Sequence, residues 1–125
     1  MASEHWQDAP DEHDFPAAET YLSLVLDAPS AAAVASALRE APTSVYLAKD
    51  LLRASRLALL ERTNAHVAKD LAKVREGKQL SPVLLVRGRA LADYPLTVAD
   101  GYHRICASYW IDEDAPIPCR VVDLP

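Results

Sequence analysis

Glycine is scarce in this chain, with three residues in 125. That scarcity excludes collagenous and linker-like sequences. No apolar run approaches the ~20 residues needed to cross a bilayer. Cysteine is nearly absent as well: Cys106 and Cys119 stand thirteen positions apart with no CxxC pair. Such spacing supports neither a disulfide framework nor a zinc site, and a reduced, cytoplasmic protein is expected. The opening MASEHWQDAPDEHD is acidic and polar, so neither a secretory signal nor a transit peptide is read there. An overall excess of base is also missing. The isoelectric point is near 5.2, whereas a domain that coats DNA wants one above ~9 to neutralise phosphates. Sequence-independent binding of duplex DNA is therefore not expected. Half of the residues are hydrophobic and a quarter charged, which excludes a disordered chain. The length fits one domain.

Charge is unevenly distributed. Residues 1–40 carry −7, residues 49–89 carry +6, and residues 90–125 carry −4. A basic middle between acidic ends can face a phosphate-bearing ligand, or can be a set of solvated helix faces.

Residues 1–14 hold few apolar side chains and are expected to form an acidic, flexible tail in which Trp6 alone docks. Pro16 suits a first helical turn, and Leu22, Val25 and Leu26 share one helical face as far as Asp27. Ser30 is the expected cap of a second helix through Arg39, which Pro42 stops. Residues 15–42 thus read as a helical hairpin covering the remainder.

From residue 43 to 125 the pattern is mixed. A short strand at Ser44–Leu47 precedes helical spacing over Lys49–Leu60. Asn64 or Thr63 caps a helix over Ala65–Glu76, and Gly77 suits its left-handed end. Strands are expected at Pro82–Val86, Leu96–Ala99 and Ile117–Val122, with a helix at Tyr102–Ile111. Two helices followed by these alternating strands and helices define an α+β fold, a mixed sheet with flanking helices.

The chemistry concentrates in Asp100-Gly101-Tyr102-His103-Arg104, where a strand ends and a helix begins. A helix start carries unpaired N–H groups and about half a positive charge, and so attracts anions. Gly101 lets the backbone approach a phosphate or take a positive φ. Arg104 offers a guanidinium fork. Asp100 would repel a bare phosphate unless Mg²⁺ stands between them or it orients a hydroxyl. His103 can donate to phosphate or move a proton near neutral pH. The plainer reading is an ordinary Asp-Gly turn with Asp as a cap and an exposed His-Arg pair. Asn64 and His66 can join the site or serve only as cap and surface residue. A metal held directly by His66, Asp100 and His103 is the less favoured arrangement.

The segments NAHVAKDLAKVREGKQLSPVLLVRG and LTVADGYHRICASYWIDEDAPIPCRVV resemble the ParB/sulfiredoxin-like superfamily over residues 43–123. There a helix passes through a Gly-x-x-x-x-Pro turn into a strand, and a second strand ends in a Gly-x-(His/Arg)-Arg box. Gly77, Pro82, Gly101, His103 and Arg104 take those positions. The resemblance implies a nucleotide site with phosphates on the box: Gly101, Tyr102 and Arg104, with Asn64 and His66 nearby.

The sulfiredoxin box has a reactive cysteine where Tyr102 stands, and ParB proteins have a glutamate there plus a helix-turn-helix domain. The Asp-Gly-x-x-Arg form is closest to kinase-like and small uncharacterised ParB-like members, whose catalytic glutamate finds only Asp50 as a nearby carboxylate. The expected function is binding of a nucleotide or small phosphorylated ligand. Catalysis would be as a Mg-dependent phosphotransferase or nucleotide hydrolase, with ATP or another nucleotide and Mg as cofactor and Asp100 and His103 as the catalytic pair. The alternative is a non-catalytic ligand- or partner-binding module; a ParB-like nuclease stands third. No membrane association is expected, and a homo-oligomer is left open.

Overall fold

A computed structural model describes residues 3–125. In chain order its elements are β1 (His5–Trp6), α1 (Asp14–Leu22), α2 (Ala28–Glu40), β2 (Thr43–Leu47), α3 (Ala48–Ser55), α4 (Ala65–Arg75), β3 (Gln79–Leu80), β4 (Val83–Val86), β5 (Thr97–Asp100), α5 (Tyr102–Ile111) and β6 (Pro116–Val122). A single 3₁₀ turn spans Ala90–Ala92. The fold is α+β. Its main sheet has the order β2-β6-β4-β5, with β6 parallel to β4 and the two outer pairings antiparallel. Among the described residues no helix is long and apolar enough to cross a membrane.

The unbroken apolar run of β4 follows from its being covered on both faces, since all four residues are buried. Successive side chains of a strand point to opposite faces. Leu84 and Val86 accordingly join Phe15, Leu22, Val34 and Leu38 of α1 and α2. Val83 and Leu85 face the other way, into a cluster with Leu51, Val67, Ile105 and Ile117 from α3, α4, α5 and β6. The hairpin α1–α2 is thus one layer of a three-layer core. Its far end is tied down by Arg120 of β6, whose Nη1 donates to the carbonyls of Leu38 (3.2 Å) and Arg39 (2.8 Å) at the C-terminus of α2. A cation there complements the helix dipole.

Four expectations are corrected. The acidic segment, over its described residues 3–14, is docked rather than loose; residues 1 and 2 lie outside the described residues. β1 pairs parallel with β3, Ser108 Oγ donates to Glu4 Oε2 (2.6 Å), and Asp14 is buried. Hydrogen bonding to the loop before β4 holds this segment, and such bonds have no signature in hydrophobic spacing. The first helix stops at Leu22 instead of Asp27, leaving Leu24 and Val25 exposed. Asp27, not Ser30, caps α2, its Oδ1 accepting from Ser30 N at 2.8 Å. Finally α3 ends at Ser55, because Arg56 turns left-handed (φ 58°). Leu59 and Leu60 reach the core from an irregular segment instead of a helix.

Candidate functional site

The box lies in a polar cleft of about 320 Å³ on the side of the molecule where α4, α5 and the N-terminal segment meet. β5 delivers Asp100 to its rim, and Gly101 (φ 108°, left-handed) swings the chain into α5. No side chain caps that helix, so its first amides, at Tyr102, His103 and Arg104, lack the usual partner. From α4 come His66, Lys69, Asp70 and Lys73, spaced i, i+3, i+4 and i+7 on one face. Asp11, His13, Asp14 and Ser81 complete the opposite wall.

Arg104 does not project into this space as a free fork. Its side chain is only 13% exposed. Nη2 donates to Asp100 Oδ2 at 2.7 Å, and Nη1 donates to the Ser81 carbonyl at 2.7 Å, with Asp14 Oδ2 at 3.4 Å. Ser81 Oγ in turn donates to Asp14 Oδ2 (2.5 Å) and accepts from Asp11 N (3.0 Å). The guanidinium is therefore a strut joining β5, the loop before β4 and the start of α1. Buried polar groups that satisfy one another in this way fix geometry.

The positive charge open to a ligand is instead that of Lys69 and Lys73, neither of which forms a salt bridge among the described residues. Asp70, half-buried beside them, has its carboxyl held above the usual range by burial, against the pull of Lys73, Arg104, His103 and Lys69. Burial also raises the Asp100 carboxyl, with Arg104 opposing and Asp14 reinforcing the shift. The rings of His103 and His66 meet at a tilt of 39°, with centroids 4.6 Å apart. Burial, then the neighbouring His66, pushes the His103 imidazole below its ordinary 6.5, with Asp70 opposing and Arg104 adding to the shift.

A depressed histidine favours the neutral ring in the folded state. Its contribution to stability is present above 6.5 and is lost as pH falls through the folded value. An NMR titration of His103 is expected to give a midpoint below 6.5 that moves upward when an anion occupies the cleft. A midpoint at or above 6.5 in the free protein would contradict the description.

The sequence-derived site is only partly assembled. Gly101, His103, Arg104, Asp100 and His66 line the cleft. The side chain of Tyr102 does not; it lies against the α3–α4 connection, and its hydroxyl donates to the Ala58 carbonyl. Asn64 is a helix cap, its Oδ1 accepting from His66 N (3.0 Å) and Val67 N (3.2 Å). Asn64→Ala is expected to cost ~1 kcal/mol of stability in urea unfolding while leaving ligand affinity unchanged. Asp50 lies outside the cleft, on the wall of a different pocket.

Cysteine chemistry has no footing. Cys106 and Cys119 are both buried, and burial raises both thiols, Cys119 to about 12. A reactive cysteine needs the opposite shift.

Sequence reasoning missed Lys69, Asp70 and Lys73, although their spacing with His66 was a readable polar stripe flanking Val67, Leu71 and Val74. It also missed Asp11, His13 and Asp14, whose donor atoms lie within 4.8 Å of one another. Magnesium takes oxygen ligands, keeps several waters and is held by one or two carboxylates. Asp11 and Asp14 bring two carboxylates together for that requirement, although Asp14, like Asp100, also meets Arg104. His13 would suit a transition metal.

Compared with protein-family models, with curated proteins and with solved structures, the chain finds no match.

Proposed function

We propose that this cleft binds the phosphate groups of a nucleotide or small phosphorylated ligand. The observation that carries the reading is the uncapped N-terminus of α5 opening beside Lys69 and Lys73. Backbone N–H groups and two cations without salt-bridge partners are a ready site for an anion. His66 and His103 add donors at the same edge. The resemblance of the box and its flanking segments to the ParB/sulfiredoxin-like superfamily supports a nucleotide over other phosphates, and supports reading the α+β fold as that type. Asp11 and Asp14 would hold Mg²⁺, which when bound supplies positive charge to offset that of the phosphates.

Thermal unfolding with ATP, CTP, GTP and ADP, with and without Mg²⁺, tests the reading. A ligand at a hundred times its Kd stabilises by ~2.7 kcal/mol, several degrees for a chain of this size. The shift should appear with at least one nucleotide and disappear in Lys69→Ala/Lys73→Ala. A cooperative unfolding transition that no nucleotide moves would overturn the proposal.

A second reading, phosphotransfer or nucleotide hydrolysis, is favoured by His103. Held neutral at pH 7 in the cleft, its ring can accept a proton from an attacking hydroxyl or water. Phosphate release from ATP by the wild type, abolished in His103→Gln with binding retained, decides for the enzyme. Saturable binding without release decides for the non-catalytic module, which the ion pair between Asp100 and Arg104 favours.

A further inference from the structure

A second cavity, of about 460 Å³, lies between α3 and the sheet and shares no lining residue with the phosphate cleft. Its volume falls in the range of small-molecule sites. The floor is apolar, made by Leu51 of α3, Leu85 of β4, Leu96 and Val121 of β6. The rim is cationic: Arg53, Arg56 and Arg87 line it against the single carboxylate of Asp50. Tyr46 and Tyr94 add two aromatic rings, 40% and 59% exposed.

The far wall is a built feature. A Cβ on Gly88 would stand 2.7 Å from Leu96 N, Pro95 C and Tyr94 O, so only glycine lets the 88–96 loop fold back so closely. Leu96 N then donates to the Ala54 carbonyl at 3.0 Å, fastening the loop to the end of α3. The three arginines rest on solvent-exposed carboxylates: Arg53 on Asp50 (3.3 Å), Arg56 on Asp93 (2.8 Å) and Arg87 on Asp123 (2.8 Å). Exposed pairs of this kind are weak, so an incoming anion that is itself partly desolvated can take over the guanidinium groups.

We infer that this cavity is a binding site for a small amphipathic organic anion, with an aryl or alkyl body on the leucine–valine floor and an acidic group at Arg56 and Arg87. The apolar floor gives affinity without direction, whereas the arginine rim accepts only the acidic end, bidentate if the group is planar. The tyrosines offer ring faces and edges to an aromatic body.

Fluorescence titration with 8-anilinonaphthalene-1-sulfonate, beside its uncharged analogue N-phenyl-1-naphthylamine, tests the inference. The sulfonate should bind saturably at one site, and 1-naphthoate should displace it. Arg56→Gln/Arg87→Gln should weaken the sulfonate at least about tenfold, the loss of one good charged contact, while hardly changing the neutral analogue. Ala54→Trp, which fills the cavity from an exposed position on α3, should remove both. Equal affinity for the two probes, indifference to the arginine substitutions, or survival of binding in Ala54→Trp would each overturn it. So would loss of the sulfonate in Lys69→Ala/Lys73→Ala, which would assign the probe to the phosphate cleft. Circular dichroism of each variant confirms that the arginine and alanine replacements leave the fold intact.

Discussion

Arg104→Ala is expected to lower stability by about 3–5 kcal/mol, the usual result of removing one partner from a largely buried ion pair. The loss arises less from the missing attraction than from what remains. Asp100 and Asp14 would be left on either side of a void, with the Ser81 carbonyl also lacking its donor. Asp100 already has its carboxyl raised by burial, and without Arg104 it would be pushed further towards the protonated form. For a chain of 125 residues the melting temperature should fall by more than ~10 °C. The variant should also recover part of the loss as pH falls. A carboxyl raised in the folded state contributes stability at low pH that is lost as pH rises through its folded value. Combining Arg104→Met with Asp100→Asn should be less damaging than the two single losses added together. A change under ~1 kcal/mol in Arg104→Ala would mean that the guanidinium is dispensable to the fold and free for a ligand.

Gly101→Ala should be nearly as costly. The residue sits at φ 108°, where an L side chain is strained, and its Cβ would lie 2.5 Å from Val83 Cγ1 and 2.9 Å from Arg104 Nη2. Val83 is fully buried in β4 and cannot retreat. Backbone strain together with overpacking is expected to cost ~2–4 kcal/mol. The movement needed would also turn the first amides of α5 away from the cleft, so phosphate affinity should fall in the fraction that folds. Urea unfolding and a ligand titration on the same preparation read both effects; an unchanged midpoint would contradict the packing described around Gly101.

What was legible in the sequence depended on how local its cause was. The Asn64 cap, the left-handed Gly77 and the span of α5 each follow from neighbours within a turn or so, and all three occur. The β4 run was readable because a strand covered on both faces needs no alternation. Docking of the N-terminal segment was not readable, because it rests on pairings such as Asp14 with Ser81, 67 positions apart, and Asp14 with Arg104, 90 apart. The same distance hid the role of Arg104. As a motif it reads as a free phosphate fork; its partner Asp100 is one helical turn away, but the Ser81 carbonyl and Asp14, which complete the strut, lie 23 and 90 positions off. The placement of the Tyr102 side chain was not readable for a related reason: the first residue of a helix can point to either side, and the Ala58 carbonyl decides which, leaving only its backbone amide at the cleft.

The central claim is that the N-terminus of α5 and the lysines of α4 receive phosphate. The most direct measurement is a titration of ¹⁵N-labelled protein with ATP and Mg²⁺, followed through the backbone amides. The account predicts the largest shifts at Tyr102, His103 and Arg104, with a second group over Lys69–Lys73, all with one saturation constant. Shifts confined to residues 53–56 and 85–96, or none at millimolar nucleotide, would contradict it.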